Sequence, residues 1–378
     1  MKVLIKLFLV LLFISSCVNE KGPEIEIWYG ERQKVGNAGK IQNDFNLLGN
    51  ISMQNGIEEL NYTLNDSEPV SLNYGIHPLF GDQRRLARHG DFNADIRLED
   101  LNPGENKIKI YARDTLGNEN TRVIMVDKQS GNSSLPLYVN WQKADHLQDV
   151  CQIIDGKWKK TKFGIRPEIS GYDRVVALGN NDWQDYEVKF KVVVHGFDSL
   201  VCENCGVEGR SFGPLLRFKG HSSGVFKNWQ VKWWGMDSAI YIDHEFPETQ
   251  PKWGYQPIGG IGFLTFSQSI YEKTGETFLL HEYFYGGKSR NEIKDTISFA
   301  FGDTFWMKMR CRSQGFSAPD SAITKYSLAV WKDGETEPSG WDYSVTDTCQ
   351  HALQRGSLAL IAHCADVEFG NVEIREIK

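Results

Sequence analysis

Short alternations of apolar and polar residues dominate this chain. Runs at 57–64, 92–98, 107–112 and 122–126 carry the pattern in its first part, and in Lys107-Ile108-Lys109-Ile110-Tyr111-Ala112 the period is two, that of a half-buried strand. Asn102-Pro103-Gly104 and Leu116-Gly117-Asn118 supply turn chemistry between the runs. Roughly 100 residues with turns at this spacing predict a β-sandwich over 23–128. A stretch rich in Ser, Gly and Asn, 129–136, reads as a linker. Further strands are predicted at 186–194, 215–219, 229–234, 262–267, 278–285, 305–312, 326–331, 358–363 and 367–374. No helical stripe of helical length interrupts them. So many strands over 137–378 predict a second, two-sheet sandwich or jelly roll, and the whole chain is expected to be all-β.

Strand parity sorts the faces of the second part, because alternate side chains point to opposite sides. Leu216 and Phe218 suit a core, which would turn Arg217 and Lys219 outward. Trp229, Val231 and Trp233 likewise leave Lys232 and Trp234 on the other face. Phe305, Met307, Met309 and Cys311 are opposed by Trp306, Lys308, Arg310 and Arg312. His281 and Tyr283 share a face, and His363 ends a strand whose Leu358, Leu360 and Ala362 point the other way. If these strands share a sheet, its outer surface gathers Arg217, Lys219, Lys232, Trp234, His281, Tyr283, Arg310 and His363. A cationic, aromatic surface of that kind suits an anionic sugar: Arg forks a carboxylate or sulfate, and Trp stacks on the ring. The tryptophans agree, since Trp28 alone of 11 precedes residue 141.

Charge and cysteines add the setting. Lys2 and Lys6 precede an apolar run at 7–14 that ends in Ser15 and Ser16, the order of a secretory signal over 1–16 that is too short to span a bilayer. The net charge of −7 argues against a protein that coats nucleic acid. Export implies an oxidising space, so the six cysteines from Cys151 onward are expected to form up to three disulfides. Cys202-x-x-Cys205 reads as a loop staple, lacking the second pair of a zinc site. Arg84, Arg85, Arg88 and His89 read as a solvated basic loop, the alternatives being a clasp on an anionic glycan or on the C-terminal part.

Several segments resemble known families. Ile14-Ser15-Ser16-Cys17 resembles the bacterial lipobox, which implies cleavage before Cys17, a lipid on its thiol, a tether over 17–22 and a place in the bacterial cell envelope. Ala112-Arg113-Asp114-Thr115-Leu116-Gly117-Asn118 resembles the end of bacterial immunoglobulin-like modules. Asn181-Asp182-Trp183-Gln184-Asp185-Tyr186-Glu187, the run from Trp331 to Pro338, the run from Gly356 to His363, and Phe369-Gly370 look like concanavalin A-like, laminin-G-like jelly rolls of bacterial carbohydrate-active proteins. The combination is similar to accessory enzymes of marine polysaccharide utilisation, including lyases and oligosaccharide dehydratases acting on algal uronates such as ulvan. That fold hosts lectins, glycosidases and lyases alike.

The side chains available favour one of these reactions. β-Elimination of a uronic acid needs a cation for the carboxylate, a base for the C5 proton and an acid for the leaving oxygen. Arg217 and Lys232 are expected to neutralise the carboxylate, and His281, Tyr283, and His221 or His363 to move protons. Lys219, Trp234 and Arg310 complete the sugar contacts. Hydrolysis needs two carboxylates about 5 to 10 Å apart, and the E-x-D-x-x-E strand of concanavalin-like glucanases is absent. The Q-[IV]-H strand of jelly-roll alginate lyases is absent too. Gly286-Gly287-Lys288-Ser289 lacks the first Gly of a phosphate loop, and no HExxH occurs. No cofactor is expected; Ca2+ is compatible with a sandwich rim, although no DxDxDG loop marks it. A monomer is expected, partnered by an anionic saccharide and by a membrane through Cys17. The alternatives are a non-catalytic glycan-binding lipoprotein and a glycosidase on the same fold.

Overall fold

A computed structural model describes residues 22–52, 55–75, 85–197, 210–231, 240–246, 248–252, 254, 259–265, 278–286, 289–291, 296–318, 321–347 and 353–377. The signal segment and Cys17, Cys202, Cys205, Lys232, Trp233 and Trp234 lie outside the described residues. The described chain is all-β as expected, with three single-turn 3-10 segments as its only helix.

The N-terminal strands form two facing sheets. One holds Glu24–Ile27, Asp44–Ser52 and Asp91–Arg97; the other holds Arg32–Val35, Glu119–Lys128, Gly104–Asp114, Ile57–Leu64 and Val70–Ser71. The alternation read in 107–112 is real: in Gly104–Asp114 every second side chain from Asn106 is buried. Ile108 and Ile110 meet Phe45, Leu47, Phe92 and Ile96 of the facing sheet in one core. Asp114 closes the last turn by accepting from the amides of Leu116 and Asn118 and from the Asn118 side chain, which hold its carboxyl below the usual range.

Beyond residue 136 two large antiparallel sheets face each other. The first runs, in spatial order, Gln152–Asp155, Arg174–Leu178, Ser357–His363, Ser211–Phe218, Gly260–Thr265, Phe278–Gly286 and Ser289–Asn291, with Thr296–Phe299 also on Phe278–Gly286. The second runs Trp158–Lys160, Ile165–Pro167, Ala365–Glu376, Tyr186–Phe197, Thr304–Ala318, Ser321–Lys332 and Tyr343–Asp347, with Leu137–Val139 on Ala365–Glu376. Between them lies the largest apolar core. Val188, Phe190 and Val192 alternate into it from one side, and Leu358, Leu360 and Ala362 from the other. Phe305, Met307, Met309 and Cys311 enter it as parity predicts.

The outer faces of the two large sheets differ in what covers them. Val175, Ala177, Leu215, Ala359 and Ile361 of the first sheet point away from the main core, yet they are buried with Ile41 from the N-terminal part. Asp44, Asn46, Asn93 and Asp95 on the neighbouring N-terminal strands are buried too. Arg85 lies at the centre of this contact. Its Nε donates to Asp155 at 2.6 Å and its two Nη atoms to Asp95 at 2.5 and 2.8 Å. Lys252 pairs with Asp44 at 2.8 Å, and the His221 ring meets Asp155 at 2.7 Å. Burial pushes the Asp155 carboxyl up, but Arg85 and His221 outweigh it and hold it far below the usual carboxylate range. Arg85 is therefore not solvated: it is 4% exposed and clasps the C-terminal half, whereas Arg88 is partly exposed and His89 exposed as expected, and Arg84 lies outside the described residues.

Cys151 and Cys311 are free and buried, which lowers the ceiling on disulfides from three to two; Cys364 is disulfide-bonded.

Candidate functional site

One end of the first large sheet carries polar and ionisable groups in a cross-strand row. Ser211 stands opposite His363 on one side and Thr265 on the other, and Thr265 stands opposite His281. The Ser211 and Thr265 hydroxyls are 3.0 Å apart. Asp173, just before the strand on the far side of His363, accepts from His363 Nδ1 at 2.8 Å. A carboxylate at Nδ1 holds the ring proton on that nitrogen and leaves Nε2 as the acceptor. No residue among those described hydrogen-bonds to Nε2. Two aromatic rings flank the imidazole: Tyr172 edge-on at 4.4 Å, and Phe263 near parallel at 6.5 Å. Phe263 in turn stands opposite Tyr283.

Three of the four proton-transfer candidates thus fall on one end of one sheet, His363 and His281 in one row and Tyr283 a rung away. The fourth does not. His221 is 7% exposed and bonded to Asp155 inside the contact between the two halves, so it is corrected from a catalytic to a structural residue. Strand parity cannot see which half of a chain will cover a face.

The expected cationic contacts do not gather there either. Arg217 is fully buried, against the outward position predicted for it. The reason is a β-bulge: the pairing with Ser357–His363 slips between Leu216 and Phe218, and Arg217 adopts φ +59°. A Cβ on Gly356 would lie 2.3 Å from the Arg217 carbonyl carbon, so the bulge needs a glycine beside it. The slip sends Leu216 into the main core and Phe218 to the opposite face, while the guanidinium turns inward to Thr324, Leu353 O, Asp185 and Ser313. Six residues of strand separate Arg217 from Ser211, roughly 20 Å. Lys219 lies beyond the bulge and donates to Asn181 O at 2.6 Å; burial, followed by Arg355, lowers its pKa.

Arg310 faces outward as predicted, but from the second sheet. Its Nε and Nη2 donate to the buried Glu187 at 2.8 and 2.5 Å, and its guanidinium lies 4.8 Å from the Trp341 ring. Lys189 stands opposite Lys308 on that face, with Lys191 opposite Trp306 and Trp306 opposite Trp331. The Trp306 and Trp331 rings stack at 6.0 Å and 14°, and Lys189 Nζ lies 4.7 and 5.3 Å from them.

Sequence reasoning missed Asp173, Tyr172, Phe263, Ser211 and Thr265. The signal for the first two was there: Val-Val-Ala-Leu at 175–178 is a short, continuously apolar run, the mark of a strand buried on both faces. Reading it as a strand next to the one ending at His363 would have put Asp173 in reach. Among the described residues no group of three or more His, Cys, Asp or Glu is placed to hold a metal ion, and no helix is long and apolar enough to cross a membrane.

No protein-family model matches the chain, and no curated protein matches it. A solved structure from work on the promiscuous specificity of carbohydrate-binding modules of the β-sandwich superfamily aligns over 95% of this chain and 98% of its own. The identity is 8% and the TM-score 0.19, a likeness that transfers nothing to this chain.

Proposed function

We propose that this protein is a carbohydrate-active β-elimination enzyme, a lyase or oligosaccharide dehydratase, that acts on uronate-containing anionic oligosaccharides at the His363 end of the first large sheet. The observation that carries the reading is the His363–Asp173 pair, flanked by Tyr172 and Phe263 and standing in one row with Ser211, Thr265 and His281. His363 Nε2 takes the C5 proton, and the imidazolium that forms is balanced by Asp173. The C4–C5 double bond forms as the C4–O bond breaks, and Tyr283 or His281 returns a proton to the leaving oxygen. That oxygen departs as a sugar hydroxyl from a lyase or as water from a dehydratase. Among the described residues Gly224–Val231 pairs only with Ile240–Phe246, in a separate two-stranded sheet, so the shared sheet expected for Lys232 and Trp234, which themselves lie outside the described residues, is not found. These two, with Arg217, Lys219 and His221, are withdrawn from the site.

The test is incubation with ulvan-type oligosaccharides, followed by the ultraviolet absorbance of the conjugated 4,5-unsaturated uronate and by product mass. Growth of that absorbance supports the reading; none, across a panel of uronate glycans, refutes it. Asp173→Asn is expected to slow turnover and to move its pH profile, which loss of a merely structural contact would not do.

A second reading, saccharide binding without turnover, is favoured by the aromatic pair around His363, which suits a pyranose face. It predicts binding that His363→Ala weakens, with no product. The glycosidase reading has less support, because the described residues of the row supply one carboxylate, Asp173, where two are needed. We also propose lipidation at Cys17 and a bacterial envelope location. Cys17→Ser is expected to abolish incorporation of a labelled fatty acid and to release the protein from membranes; unchanged labelling would exclude it.

A further inference from the structure

We propose that the outer face of the second large sheet is a second binding site, for a polyanionic saccharide chain, and that the acidic segment 333–341 occupies it as an internal ligand which such a chain displaces. This site is separate from the histidine row and does not depend on the reaction assigned there.

The first reason is the placement of like charges. Lys189 and Lys308 are direct cross-strand partners, with Lys191 one rung above and Arg310 one rung below on the same face. Directly opposed like charges destabilise a sheet pair. Arg310 is answered within the sheet by its cross-strand partner Glu187, and Glu373 stands opposite Lys189. The loop after Ser321–Lys332 supplies the carboxylates that bond Lys189, Lys308 and Lys191.

Glu337 accepts from Lys189 at 2.5 Å and from Lys308 at 2.7 Å. Asp333 accepts from Lys191 at 2.9 Å and from Trp306 Nε1 at 3.0 Å. These lysine bonds lower both carboxyls, Glu337 to about 2. Trp341 completes the cover, 4.8 Å from both Lys308 Nζ and the Arg310 guanidinium.

The second reason is that the cover is exchangeable. The Glu337 and Asp333 side chains are 38% and 40% exposed, and ion pairs at such sites are weak and screened by salt. A chain that presents several carboxylates or sulfates replaces two loop carboxylates with many.

The third reason is the aromatic content. Trp306 and Trp341 lie partly exposed among the cations, with Trp331 buried against Trp306, and exposed indole faces take the C–H face of a pyranose. Cations interleaved with indoles fit a charged sugar better than an acidic peptide.

The experiment measures binding of oligogalacturonate and of dextran sulfate, which separate carboxylate from sulfate recognition, with plain dextran as control. The double variant Asp333→Asn, Glu337→Gln is expected to bind one or both polyanions about tenfold more tightly than the natural protein at low salt. The gain is expected to vanish in roughly 1 M salt, to be lost when Lys189→Ala and Lys308→Ala are added, and to survive His363→Ala. In the natural protein, saturating polyanion is expected to change tryptophan fluorescence, so the proposal stays testable even if the double variant folds poorly. No tightening, no fluorescence response, or a gain that persists without the two lysines overturns the site. An equal gain toward plain dextran or a single-stranded oligonucleotide overturns its saccharide assignment.

Discussion

The outer faces of the two large sheets start from similar strands and end in opposite states. On the first sheet, apolar residues such as Leu215, Ala359 and Ile361 are sealed beneath the N-terminal part, Arg85 and Asp155 are buried with them, and the His363–Asp173 pair stands at one end. On the second, Lys189, Arg310 and Trp306 remain partly exposed; one acidic loop holds Lys189, Trp306 and the buried Lys308, and Glu187 of the neighbouring strand holds Arg310. A face sealed by a second module fixes its few polar groups in place and lowers the dielectric around them, the condition for proton transfer. An open face keeps its charges adjustable, the condition for exchangeable binding.

The contrast can be broken from either side. His363→Ala removes the proposed base and is expected to slow β-elimination by about 10²- to 10⁴-fold, measured as initial rate, with the melting temperature little changed; a rate within twofold of the natural protein would take the chemistry away from this face. Arg85→Ala leaves Asp95 and Asp155 buried without their cation and is expected to cost about 3 to 5 kcal/mol in urea unfolding. A cost below about 1 kcal/mol would mean that the contact between the halves is not the seal described.

Glu337→Ala on the open face is expected to cost no more than about 1 kcal/mol in the same assay. A larger loss would make the loop a structural strap. The smallest effect is set by pH. The Glu337 carboxyl is depressed from 4.5 to about 2 by Lys189 and Lys308, so its contribution is complete above pH 4.5 and is lost as pH falls through 2. Tryptophan fluorescence titrated downward from pH 5 is expected to report release of the loop across that window, and a flat titration would disconnect Glu337 from the indoles.

The parity argument read the second face correctly because Thr304–Ala318 keeps its period of two from Phe305 to Arg312, with four buried side chains opposing Trp306, Lys308, Arg310 and Arg312. It failed at Arg217, where one bulge residue inverts every later side chain, and a bulge with a left-handed arginine has no signature in the alternation itself. It failed at His221 and at Arg85 for another reason: whether a polar side chain ends in solvent or between two modules depends on long-range packing that local pattern does not encode. His363, His281 and Tyr283 were legible as candidates from their strands. That His363 and His281 share a row, and that Asp173 stands behind His363, follows from a strand order no local pattern contains.

The central claim is that His363 is a base at a working site, and chemical rescue tests it most directly. The rate of ultraviolet absorbance growth on uronate oligosaccharides is measured for the natural protein, for His363→Ala, and for His363→Ala with added imidazole. The account predicts turnover in the first, near-complete loss in the second, and partial recovery in the third that rises with imidazole concentration. Turnover in His363→Ala at the natural rate, or a loss that imidazole does not relieve at any concentration, would contradict it.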